Sequence, residues 1–201
     1  MKRVLLILPN AFEVFEAAAL IDVLGWANHY GDTPIEIVTA GVNSPISCTF
    51  GVLRVQPDVL LADINEDDFD AVAIPGGFET KGFFEDAYSE TVLQTLRDFD
   101  NRNKPVVSIC VGALPLARSG ILSGKRATTY HLMGGKRRKQ LAEYGAIVVD
   151  APIVIEENTI TSTSPATAIE VALTLVEKLT TKENAQRIRQ LMGFAAASEM
   201  D

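Results

Sequence analysis

The sequence predicts an α/β fold, a doubly wound, mostly parallel sheet with helices on both faces. Short apolar, β-branched runs recur along the 201 residues, and helix-length segments separate most of them. The runs are also apolar enough to be covered on both sides, as strands of a parallel sheet are. With 47% hydrophobic residues the chain can bury a core without staples, and no linker or repeat divides it, so one domain over 1–201 is expected.

The first strand is Val4 to Leu8, closed by Pro9-Asn10. With Lys2-Arg3 before it this run imitates a signal peptide, but it ends too early and no small-residue cleavage site follows. Val14 to Ala27 reads as the first helix. Glu16 and Asp22 interrupt it, and it falls short of the roughly 20 residues that cross a bilayer. Ile35 to Val38 is the second strand, and Ile46 to Val55, with Gly51 inside it, reads as a small hairpin or edge excursion. Val72 to Ile74 is a strand, followed by a helix over Ser89 to Asn101 with Val92, Leu93, Leu96 and Phe99 at helical spacing. The strand Val106 to Ile109 runs into a helical Leu114 to Arg118. Ile147 to Val149 and the surroundings of Ile160 are further strands, Ala166 to Leu179 is a helix, and 184–192 is expected to form an extra terminal helix.

Composition excludes several functions. The two cysteines, Cys48 and Cys110, lie far apart, and there is no CxxC or HExxH, so neither a disulfide framework nor a metal site is expected. A reducing, cytoplasmic setting follows. A net charge of -8 offers nothing to a phosphate backbone, and the basic run Lys136 to Lys139 reads as the solvated face of a helix, so neither nucleic acid nor membrane is an expected partner. Without GxGxxG, GxxxxGK[ST] or GxSxG, the nucleotide fingerprints and the serine-hydrolase elbow are absent.

In an open sheet, ligands bind beyond the carboxyl ends of the strands, and four such places carry chemistry. Cys110 closes a strand and is followed by Val111-Gly112-Ala113 and a helix. That is the strand, tight turn, helix pattern that presents a nucleophile to helix amides, which predicts a readily ionised thiol. The alternative is a buried cysteine acting as a small hydrophobe. Glu16 and Asp22 are six residues apart, roughly 120° around a helix, and cannot share one wet face. Glu16 therefore either has a special environment or merely suits the first helical turn, where Glu13 would serve equally. Pro75-Gly76-Gly77 could expose amides to an anion or be an ordinary turn. Ser164, before Pro165, is expected to cap the next helix. Of the two histidines, His131 could approach a strand-end site from its loop, whereas His29 should lie on the surface.

Taken in order, these pieces resemble the ThiJ/PfpI superfamily, which takes in the parkinsonism-associated deglycase branch and, more distantly, isonitrile hydratases and class I glutamine amidotransferases. The likeness spans almost the whole chain. It rests on Leu5 to Pro9 leading to Glu16, on Ala73 to Gly77, on Ile109 to Ala113, on Ala127-Thr128-Thr129, and on Thr161-Ser162 through Glu170 to Leu173. The resemblance implies a flavodoxin-like sheet, a homodimer, no cofactor, a Cys110 nucleophile approached by Glu16, and an oxyanion pocket from the amides of Gly77 and Val111. It further implies possible auxiliary roles for Gly76, Tyr130, His131 and Thr163, and matches Cys48 to a secondary cysteine near the dimer contact. The chain also departs from particular branches. Val111 stands where peptidase-like members carry histidine, and no histidine follows His131 as amidotransferases require. Tyr130 occupies the slot after the paired threonines where the deglycase branch has histidine, and Thr163 stands where that branch has arginine.

A thiolate and a carboxylate in contact cannot both ionise cheaply, so Glu16 should hold a proton beside the sulfur. The expected activity is cysteine-dependent chemistry on small reactive carbonyls, of the cofactor-independent glyoxalase or deglycase type. The alternatives are an oxidative-stress sensor or chaperone working through oxidation of Cys110, and an isonitrile hydratase-like hydrolyase.

Overall fold

The computed structural model describes residues 1–194. The chain runs β1 (Lys2–Ile7), α1 (Val14–Tyr30), β2 (Ile35–Gly41), β3 (Ile46–Ser47), β4 (Arg54–Val55), β5 (Val59–Leu60) and β6 (Ala71–Ile74). It continues through α2 (Phe83–Ala87), α3 (Glu90–Asn101), β7 (Val106–Ser108), α4 (Ala113–Arg118), β8 (Arg126–Ala127) and α5 (Lys136–Glu143). Last come β9 (Ile147–Val148), β10 (Ile153–Glu156), β11 (Thr159–Ser162), α6 (Ala168–Leu179) and α7 (Lys182–Leu191).

Seven strands form the main sheet in the order β10-β11-β7-β6-β1-β2-β5. All neighbours are parallel except the β10–β11 edge pair. The central strands are apolar on both faces because both faces are covered: β6 is buried at every residue, and Val4 to Ile7 of β1 are wholly buried. Helices α1, α6 and α7 pack together as one group, and α3, α4 and α5 pack successively as another. The expected doubly wound α/β architecture is therefore what the chain adopts.

Helix α1 shows why its sequence reads ambiguously. Its buried stripe is Glu16, Ala17, Ala19, Leu20, Val23, Leu24 and Ala27, a helical repeat in which Glu16 takes an inward position, while Asp22 is exposed. The carboxyl of Glu16 is thus carried into the interior by the same periodicity that buries leucines.

Some expectations need correction. Ile147 and Val148 do not join the main sheet but pair in parallel with Arg126 and Ala127 in a separate two-stranded ribbon. The strand that occupies the sheet edge instead is β10, which pairs antiparallel with β11 across a tight Glu156–Thr159 turn. Its outward Ile155, half exposed, blurred the apolar signal. Ser164 does not cap with its side chain. The helix opens with a 3-10 turn, and the Thr167 hydroxyl folds back to donate to the Ser164 carbonyl at 2.7 Å. The hairpin is present as β3 and β4, and the terminal helix as α7, capped by Thr181 and docked through buried Ala185 and Ile188.

Candidate active site

The chain turns sharply at the end of β7. Cys110 adopts φ +55°, a left-handed conformation that costs a non-glycine residue energy and persists where its surroundings hold it. Those surroundings are specific. The Thr129 hydroxyl donates to the Cys110 carbonyl at 2.8 Å, and the Gly112 amide donates to the Ile109 carbonyl at 2.9 Å. Gly112 has no room for a side chain, since a Cβ there would come within 2.8 Å of the Ile74 carbonyl.

Glu16 reaches this elbow from α1. Its Oε2 accepts from the Gly76 amide at 2.5 Å, and a Cβ placed on Gly76 would meet Glu16 Oε2 at 2.9 Å, Cys110 Cβ at 3.0 Å and the Val111 nitrogen at 3.1 Å. The Glu16 carboxyl, the Cys110 side chain and the Val111 amide therefore converge on one point. Gly76 and Gly77 are required by this close approach, and neither takes a left-handed conformation. A Cβ on Gly77 would strike the Ala11 carbonyl and the Phe83 ring. The Glu13 amide donates to the Gly76 carbonyl at 2.8 Å, which locks the start of α1 to this turn.

The electrostatics follow from burial. Desolvation raises Glu16 to about 8, offset in part by the Gly76 amide and reinforced by the nearby Glu13 carboxyl, so Glu16 holds its proton at neutral pH. Its Oε1 is buried with no hydrogen-bond partner among the described residues. Burial also pushes the Cys110 thiol up, and repulsion from Glu16 pushes it further, while the Val111 amide pulls it down. The expectation of a readily ionised thiol is thereby corrected: one amide at the elbow does not outweigh the loss of water around a cysteine only 9% exposed.

Cys110 and Glu16 open onto a cleft of about 700 Å³. Gly77, Val111 and Tyr130 share its wall with Glu13 and Phe78. Leu132, Met133, Lys136 and Arg137 line it from the loop before α5 and from α5 itself, and Ser164, Pro165 and Ala166 from the loop before α6. Of the auxiliary residues expected from sequence, Tyr130 is in the cleft and Gly76 lies under the pair, whereas His131 and Thr163 are not on its lining. The His131 Nδ1 is buried without a partner among the described residues, and Thr163 is buried with its amide bonded to the Pro152 carbonyl at 3.0 Å. His29 is exposed, and Cys48 is buried under the hairpin with its sulfur accepting from the Leu53 amide at 3.4 Å. The basic run is not simply a solvated face, since Lys136 and Arg137 both bond Glu79 at the cleft wall. Sequence reasoning missed these two because nothing local distinguishes a cation facing a cleft from one facing bulk water. Among the described residues no cluster of His, Cys, Asp and Glu could hold a metal ion, and no helix is long and apolar enough to cross a membrane.

Residues 2–178 match the model of the DJ-1/PfpI family. Protein dj-1beta of Drosophila melanogaster is 33% identical over 93% of this chain and 94% of its own length. A glutathione-independent glyoxalase, DJR-1.2 of Caenorhabditis elegans, is 30% identical over 89% of each chain. The crystal structure of Drosophila melanogaster DJ-1beta superposes with a TM-score of 0.84 at 31% identity, covering 97% of this chain and 99% of that one. The structure of oxidized Toxoplasma gondii DJ-1 gives 0.81 at 26% identity, over 98% and 100%.

Proposed function

The chain belongs to the DJ-1/PfpI family, and from that premise we propose that it is a cysteine-dependent enzyme acting on small reactive carbonyls, of the cofactor-independent glyoxalase or deglycase type. The observation that carries this reading is the convergence of Glu16, Cys110 and the Val111 amide on one point at the floor of an open cleft. The glyoxalase named among its relatives supports it.

With methylglyoxal, the thiol of Cys110 adds across the aldehyde to form a hemithioacetal. The sulfur proton passes by way of Glu16 to the former carbonyl oxygen. Until that proton arrives, the amides of Gly77 and Val111 hold the developing oxyanion. Glu16, protonated at rest and with Oε1 lacking a partner among the described residues, moves protons in both directions in this reading. Transfer of the aldehyde carbon's hydrogen through an enediol gives the thioester of a 2-hydroxy acid. Water then cleaves it, releasing lactate and returning the thiol. The sum is methylglyoxal plus water to lactate, with no net redox change and no cofactor. Steady-state turnover of methylglyoxal by wild type and Cys110→Ser tests this: loss of activity is expected in the variant, and equal rates would remove the claim.

A second reading is oxidative sensing. Its support is the protonated carboxyl of Glu16 beside the sulfur, whose Oε1 has no hydrogen-bond partner among the described residues and could donate to a sulfinate formed when two equivalents of peroxide each deliver one oxygen and leave as water. Intact-protein mass spectrometry after mild peroxide should then show Cys110 gaining two oxygens and stopping there.

A further inference from the structure

The charges that line the cleft are unevenly arranged. Glu13 stands near the sulfur, where its charge acts on both Cys110 and Glu16. Lys136 and Arg137 act instead on Glu79, whose carboxyl they hold below its ordinary range, Lys136 foremost. Lys136 Nζ lies 2.7 Å and an Arg137 amino group 2.9 Å from the same Glu79 oxygen. Two cations facing one carboxylate leave a net positive charge, and both retain N–H donors beyond these bonds.

Arg137 is also held rigidly. Its other amino group donates to Gln140 at 2.8 Å, its guanidinium lies 5.1 Å from the centre of the Phe84 ring, and its side chain is only 14% exposed. An arginine anchored on three sides loses little freedom when it accepts an anion. These cations begin α5, whose preceding residue, Gly135, is left-handed and offers no side-chain cap. The positive end of the helix therefore lies at the residues that carry these two cations. The rest of this wall is apolar, with Phe78, Leu132 and Met133 beside Tyr130. A cleft of about 700 Å³ also far exceeds the needs of a three-carbon carbonyl.

We propose that the cleft selects carbonyl substrates bearing a carboxylate at the far end of a short apolar chain, with that carboxylate seated on Lys136, Arg137 and the start of α5. The proposal rests on the reading of Cys110 as the group that meets the carbonyl. A carboxylate adjoining the carbonyl would instead stand beside Cys110, where the Glu13 charge acts and repels it, so 4-oxobutanoate should be preferred to glyoxylate.

Two measurements separate this proposal from the reading beneath it. Calorimetry with unreactive hexanoate and hexanamide reports the anion site alone. Hexanoate should bind wild type about tenfold more tightly than hexanamide, and Lys136→Gln or Arg137→Gln should abolish the difference. Equal binding of the two ligands, or a preference that survives in both variants, overturns the anion site. Lys136, with its side chain 59% exposed, can be replaced without threatening the fold. The second measurement is kcat/KM for 4-oxobutanoate, butanal and glyoxylate, expected to be highest for the first. If no aldehyde is turned over while hexanoate keeps its preference, the carbonyl reading fails and the anion site stands. If aldehydes are turned over without preference for 4-oxobutanoate, the selectivity is refuted and the carbonyl reading stands.

Discussion

Glu16 illustrates how a single residue can be visible in the sequence without its role being so. Its position in an apolar segment, out of phase with Asp22, marked it as unusual, and the structure resolves the ambiguity by placing it on the buried stripe of α1. Its proton affinity has a measurable consequence for folding. Folded, Glu16 titrates at about 8; unfolded, at its ordinary 4.5. Between these values the native state binds more protons than the unfolded state, so this contribution is greatest below the lower value and is lost as pH rises to the upper. Urea unfolding of wild type should therefore show stability falling from about pH 5 to about pH 8, and Glu16→Gln should flatten that slope. An identical slope in the variant would assign the effect to another group.

At the level of elements, three turns build the site: the elbow after β7, the Pro75-Gly76-Gly77 turn after β6, and the start of α1. The sequence located all three, since each follows an apolar strand closed by turn-forming or small residues. It could not show that Gly76 is needed for proximity, because a glycine in a turn reads the same whether it serves φ or space. Gly76→Ala is consequently a sharp probe. Its methyl group would press on Glu16, Cys110 and Val111 together, and the displacement should cost about 100-fold in methylglyoxal kcat/KM. Stability should fall by about 1–3 kcal/mol, the usual range for overpacking. Kinetics and urea melts on the same preparation check both figures, and wild-type kinetics would show that the turn tolerates bulk. The cations of α5 were harder to read: Lys136 to Lys139 is one uniform basic run, and only the packing of Arg137 against Phe84 and Glu79 separates its members.

On the scale of the whole molecule, the hairpin leaves a conspicuous surface. Phe50 is 63% and Val52 86% exposed, and the Phe50 ring lies 5.8 Å from that of Phe78 at the cleft wall. We infer that this surface is covered in a homodimer, as the resemblance to the family suggests, because exposed clusters of large apolar side chains commonly mark interaction sites. Light scattering after size exclusion should give twice the chain mass for wild type and the single mass for Val52→Asp; a monomeric wild type would refute the dimer. The order of apolar runs and turns determined the sheet, its parallel sense and the places where chemistry could sit, because periodicity and small-residue punctuation are local properties written along the chain. Only the tertiary structure decided that Glu16 meets Cys110, that the thiol is pushed up by burial, and that His131 stands off the cleft while Lys136 and Arg137 line it. Those outcomes depend on distance and on exclusion of water between residues far apart in sequence, and both arise when the layers pack.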